Sequence, residues 1–140
     1  MDNLQILKFD KIIGNPAIVE IDAKNCQTLR AFYEETAKVM HFPDYFGFNL
    51  DSFDEMINDL SWIEDENLLV YFHNSDQFLI NERNETKIIT LLDLLDATCE
   101  EWNWFEEDED PESDEFIPKK TLKFGFSESP YISALLSKLA

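Results

Sequence analysis

Residues 67–73, Asn67-Leu68-Leu69-Val70-Tyr71-Phe72-His73, form an almost continuous apolar run. A strand of that composition has no solvent-facing side, so it suits the middle of a sheet covered on both faces. On either side of it the apolar spacing changes. Leu29, Phe32, Tyr33, Thr36, Ala37 and Met40 recur at intervals of three and four, which predicts a helix over 28–40. Leu50, Phe53, Ile57 and Leu60 predict a second helix over 49–60. After the run, Ser75 or Asp76 is placed to start a short helix through Ile80. Asn84 or Thr86 is placed to cap a longer one, which runs through Ile88, Ile89, Leu91, Leu92, Leu94 and Leu95 towards Trp102 and Trp104. Residues 17–22 and 121–126 read as further strands. Strands separated by helices point to a three-layer α/β domain with a small, largely parallel sheet.

The two ends add to this pattern. Leu4-Gln5-Ile6-Leu7-Lys8-Phe9 reads as a short strand, and Gly14-Asn15-Pro16 separates it from the next one. Those turn residues fit either a hairpin or the start of a crossover. Residues 130–139 read as a short amphipathic helix, with Pro130 where a helix start tolerates it. One domain over 1–140 is expected, with its core in 17–127.

The formal net charge is -19, from 30 acidic and 11 basic residues. Binding to phosphate backbones needs clustered Lys and Arg, so nucleic acid is a poor partner. A basic protein is a good one, because opposite fields speed and orient encounter. Ten of the acidic residues fall in 100–115, a stretch with no basic residue. Within it, 106–115 lacks apolar spacing and is expected to be a solvated loop. No apolar stretch is long enough to span a membrane, and the start lacks a secretory pattern. A cytoplasmic location is therefore expected, with Cys26 and Cys99 as reduced thiols.

The chemistry-bearing segment is Phe42-Pro43-Asp44-Tyr45-Phe46-Gly47-Phe48-Asn49-Leu50-Asp51-Ser52-Phe53-Asp54-Glu55-Met56. Pro43 breaks the preceding helix, Gly47 is expected to take a left-handed turn conformation, and Asn49 is a good N-cap. Asp51, Asp54, Glu55 and Asn58 then form an acidic stripe opposite the apolar one. The string resembles the signature of the barstar family, the small intracellular inhibitors of barnase-type ribonucleases. There the run is close to P-[DE]-Y-[YF]-G-x-N-L-D-A-L-x-D. Pro43, Asp44, Tyr45, Phe46, Gly47, Asn49, Leu50 and Asp51 fall on it.

The resemblance implies a three-stranded parallel sheet with helices packed around it. The first fourteen residues, the acidic loop and the C-terminal helix then stand as additions. It also implies an inhibitor with no catalytic residues, cofactor or metal, whose acidic helix enters the basic active-site cleft of a ribonuclease. Tyr45, Asp51 and Glu55 fall on the family's contact tyrosine and two contact aspartates, Glu55 being one methylene longer. Asp54 stands where the family has a contact tryptophan, so an aromatic anchor is replaced by a third carboxylate. Gly47 and Asn49 match the structural turn and cap. A further acidic contact on the long helix would correspond to Asp93 or Asp96.

Other readings compete. Residues 108–114 alternate acidic groups, but Ser113 and Lys119 occupy the positions where a calcium loop needs Gly and Glu. A hydrolase built on His41 and Cys26 lacks any supporting motif. A reused binding module with a non-ribonuclease partner would instead employ the Trp102-Asn103-Trp104-Phe105 cluster, whose simpler role is helix-end packing.

Overall fold

The computed structural model describes residues 3–107, 110–112 and 116–139. Strand β3 (Asn67–His73) lies inside a four-stranded, all-parallel sheet of order β1-β4-β3-β2. Its neighbours are β2 (Ala17–Asp22) and β4 (Thr121–Phe126), and β1 (Leu4–Ile6) lies beyond β4. In register, Val19 sits opposite Val70, and Val70 opposite Phe124. The expected three-stranded sheet is present as β2, β3 and β4, and the N-terminal strand extends it by one.

Helices α1 (Leu29–Val39) and α2 (Leu50–Asp59) connect β2 to β3, and α3 (Glu85–Trp104) connects β3 to β4. Both crossovers step across the sheet in the same direction. Parallel crossovers are right-handed, so all three helices fall on one face. The β1–β2 connection steps back across the whole sheet, and the same handedness carries residues 7–16 over the opposite face. That settles the choice at Gly14-Asn15-Pro16 in favour of a crossover, because β1 and β2 occupy opposite edges. β1 is also shorter than the apolar pattern implied. Leu7 still donates to the Phe126 carbonyl at 2.9 Å, but Phe9–Lys11 forms a 3₁₀ turn.

The alternation of β3 now has a reason on each side. Leu68, Val70 and Phe72 face the helices and join one apolar core with Ile21, Leu122, Phe124 and Phe126. Phe72 stacks on Phe126 with ring centroids 5.0 Å apart. Leu69 and Tyr71 are buried under the N-terminal segment instead. The Tyr71 hydroxyl donates to the Leu7 carbonyl at 2.7 Å, and the Phe9 ring lies 5.3 Å from that of Tyr71. Gly125 makes this close approach possible, since a Cβ there would meet Tyr71 at 3.0 Å and Leu7 at 3.2 Å.

The remaining elements follow their caps. Thr28 accepts from Ala31 N–H at 3.2 Å, and Asn84, rather than Thr86, caps α3 by accepting from Thr86 N–H at 3.1 Å. The segment after β3 forms only a 3₁₀ turn at Ser75–Gln77. Helix α4 (Pro130–Leu136) starts at Pro130 as expected and stops three residues short of 139. The acidic run 106–115 falls partly outside the described residues. Within them, Glu107 accepts from the Lys119 backbone N–H at 2.9 Å.

Candidate functional site

The segment 40–50 is built by a sequence of local stops. Met40 caps the C-terminus of α1, and His41 takes a left-handed φ of +56°. Phe42 N–H then reaches back to the Ala37 carbonyl at 2.9 Å, closing a Schellman-type C-cap. Phe46 N–H turns onto the Pro43 carbonyl at 3.0 Å. This turn sends two adjacent aromatic side chains opposite ways. Phe46 is buried against Phe42 and Phe48, with centroids 5.0 and 4.8 Å away. Tyr45 is 67% exposed.

The turn corrects one expectation. Gly47 is not the left-handed residue; Phe48 is, at φ +52°. Glycine at 47 leaves room for the cap, because a Cβ would lie 3.1 Å from Asn49 Nδ2 and press on it. That amide donates to the Gly47 carbonyl at 3.1 Å, while Gly47 N–H donates to Ser52 Oγ at 2.8 Å. Asn49 Oδ1 in turn accepts from Ser52 N–H at 2.8 Å, which makes it the N-cap of α2 as expected. One cap residue therefore fixes both the turn and the first turn of the helix.

α2 buries Phe53, Met56 and Ile57, with Leu60 fully buried just beyond. Met56 widens the stripe read from sequence. Phe53 sits among Phe32, Tyr33 and Phe42, with centroids 5.4, 5.9 and 6.0 Å away. Trp102 of α3 donates its indole N–H to the Ile57 carbonyl at 3.1 Å. The outer side of α2 carries Asp51, Asp54 and Glu55, all exposed. Among the described residues none of the three forms an ion pair. Asp54 Oδ1 accepts from Asn58 Nδ2 at 2.8 Å, which draws Asn58 into the same surface.

The two α3 candidates fare differently. Asp96 Oδ1 accepts from Asn3 Nδ2 at 2.9 Å, so its carboxylate is turned towards β1. Asp93 is exposed. The flank of α3 next to α2 is marked instead by Lys87 and Thr90, beside Asn49 and Leu50, and by Glu101, beside Asn58. Glu101 is thus a carboxylate on the α2 side that sequence reasoning passed over. Its signal was its place one residue before the buried Trp102, but only the packed pair of helices shows which flank faces α2.

The competing chemistry finds little support. Cys26 and Cys99 are free and buried, and burial pushes both thiols up to about 12. A thiol so protonated is no nucleophile near neutral pH. His73 Nε2 lies 2.9 Å from Glu20 Oε1, and its ring packs on Phe9 and Tyr71. Among the described residues no cluster of three or more His, Cys, Asp or Glu is placed to hold a metal ion. The calcium reading of 108–114 lies largely outside those residues. No described helix is long and apolar enough to cross a membrane. Of the tryptophan cluster, Trp102 packs into the helix end, while Trp104 is 81% exposed.

A family model described as Barstar (barnase inhibitor) matches residues 17–116. The match runs from β2 through α3, well beyond the turn and α2 that carry the motif. No curated protein matches the chain.

Proposed function

The chain belongs to the barstar family, and from that premise we propose that it is an intracellular protein inhibitor of a ribonuclease. Its partner is a basic protein, and the α2 face enters that enzyme's active-site cleft. Asp51, Asp54 and Glu55 pair there with the cations that hold substrate phosphates. Tyr45 packs at the rim. The chain supplies no catalytic group and needs no cofactor for this role.

The observation that carries the reading is α2 itself. Its inner side is locked by Phe53, Met56, Ile57 and the Trp102 hydrogen bond, while its outer carboxylates form no ion pair among the described residues. Charges on a rigid support lose little entropy on docking, and desolvation is offset only when the partner's cations meet them closely.

The test is affinity capture from a lysate of the source cells with two baits, the wild type and Asp51→Ala/Glu55→Ala. A small basic protein with ribonuclease activity, retained only by the wild type and inhibited by it, is the expected result. Equal retention by both natively folded baits rejects the site. Exposed Trp104 favours a second reading, a barstar-fold binding module with a non-ribonuclease partner. In that case Trp104→Ala would abolish capture.

A further inference from the structure

Between the starts of α1, α2 and α3 lies a half-open pocket of about 410 Å³. Leu29, Phe48 and Leu50 provide apolar walls, and Tyr33, Glu82 and Lys87 provide polar groups. Tyr33 is only 6% exposed, yet its hydroxyl makes no hydrogen bond among the described residues. Its hydroxyl is not itself sealed off, since Thr36 Oγ1 is the buried side-chain polar atom without a partner among the described residues; the ring is buried and the hydroxyl opens onto the pocket. Glu82 lines the same pocket, and burial, then the charge of Glu82, push the Tyr33 hydroxyl pKa up. Glu82 Oε1 accepts from Leu29 N–H at 3.1 Å, and its second oxygen makes no hydrogen bond among the described residues. The pocket therefore presents two open acceptors above an apolar floor, next to the first residues of α2.

We propose that this pocket receives an arginine side chain of the basic partner. That the partner is a protein rests on the inhibitor reading; the preference for a guanidinium rests on the pocket. A guanidinium offers a planar fork of N–H donors, which can serve the Tyr33 Oη and the second Glu82 oxygen together. Its aliphatic stem lies along Leu29, Phe48 and Leu50. A lysine brings the charge without the fork. An anion would face Glu82 and the field of a chain carrying a net -19. Helix starts ordinarily favour anions, but here Glu82 already occupies that of α1, Asn49 that of α2 and Asn84 that of α3. Two cations of the chain oppose another: Lys87 is exposed and forms no ion pair among the described residues, so it is free to swing clear, and Arg30, 4.6 Å above the Phe48 ring, is paired with Glu34 at 2.7 Å.

The test needs no partner protein. N-acetyl-arginine N-methylamide is titrated into the full chain, and the Leu29 and Glu82 backbone amides are followed by NMR. The corresponding lysine compound and acetate serve as comparators. Saturable shifts with arginine, weaker ones with lysine and none with acetate are expected. Glu82→Gln, which keeps an oxygen for Leu29, should weaken arginine about tenfold by removing the charge-assisted pair. Tyr33→Phe should weaken it roughly threefold by removing a neutral hydrogen bond. Lys87→Ala should tighten it. Saturation of the same amides by acetate, no saturable shift with arginine, or indifference to both Glu82→Gln and Tyr33→Phe in natively melting variants overturns the proposal. Any of these leaves the inhibitor reading standing. Equal capture by wild type and Asp51→Ala/Glu55→Ala would reject that reading without altering this titration.

Discussion

α2 carries Asp51 and Glu55 four residues apart, and α3 carries Asp96 and Glu100 at the same spacing. Like charges at that spacing oppose helix formation by about 0.2–0.5 kcal/mol. On α3 the repulsion is absorbed within the fold. Asn3, buried just before β1, donates its side-chain amide to Asp96 Oδ1 at 2.9 Å and to Glu100 Oε1 at 2.8 Å. Its own side-chain oxygen accepts from Lys123 Nζ at 2.7 Å. Trp104 adds an indole N–H to the second oxygen of Glu100 at 3.2 Å. The pair on α3 fastens β1 and β4 to the helix. The pair on α2 has no such compensation among the described residues. Acidic residues at identical spacing thus differ in meaning according to the donors the fold brings to them.

The comparison breaks most violently if α2 loses its platform. Phe53→Ala removes a fully buried ring from among Phe32, Tyr33 and Phe42. A loss of about 3–5 kcal/mol is expected from urea unfolding. A loss below about 1 kcal/mol would mean that α2 is not held by its buried stripe, since core aromatics otherwise exceed that value.

Asn3→Ala attacks the other helix. It strips the shared donor from Asp96 and Glu100 and leaves Lys123 without its acceptor, so a loss of about 1–3 kcal/mol is expected. The loss should depend on pH. Hydrogen bonds from Asn3 and then Trp104 hold the Glu100 carboxyl below its ordinary 4.5. A carboxyl depressed in the folded state contributes stability that is fully present above its unfolded pKa and disappears as pH falls through the folded one. Wild type and variant should therefore differ most above about pH 5 and converge on acidification well below 4.5. A gap that stays constant down to the acid transition would assign the effect of Asn3 to packing alone.

Much of this fold was legible because its signals are local. The apolar run at 67–73, the Asn49 cap and Pro130 each act within a few residues of themselves, and each fell where the spacing placed it. The carboxylates of α2 were legible too, since one buried stripe fixes the opposite side. What escaped was decided by contacts far apart in sequence. Asn3 meets Glu100 across the sheet edge, Glu82 reaches Leu29, and Trp102 reaches Ile57. No spacing rule announces such pairs. That is why Asp96 looked equivalent to Asp93, and why Glu101 and the Tyr33 pocket were missed. Gly47 failed for a different reason. Glycine answers both to a left-handed backbone and to a crowded Cβ, and only the position of the Asn49 side chain distinguishes the two.

The smallest effect is also the sharpest discriminator between the two helices. Glu55→Gln and Glu100→Gln are the same chemical change at the second member of an i, i+4 acidic pair. On α2 the change relieves repulsion from Asp51 and removes no ion pair. Glu55→Gln should therefore leave stability unchanged or raise it by about 0.2–0.5 kcal/mol. On α3 it replaces the charged acceptor of two donors with a neutral one. Glu100→Gln should therefore lower stability near neutral pH, with the deficit fading as pH falls below 4.5. Opposite signs in parallel melts would show that the α2 carboxylates are retained at a small cost to the fold, as expected of groups that answer to a partner. If Glu55→Gln proves as damaging as Glu100→Gln, then α2 charge is structural, and the proposal that this face meets a ribonuclease loses its main support.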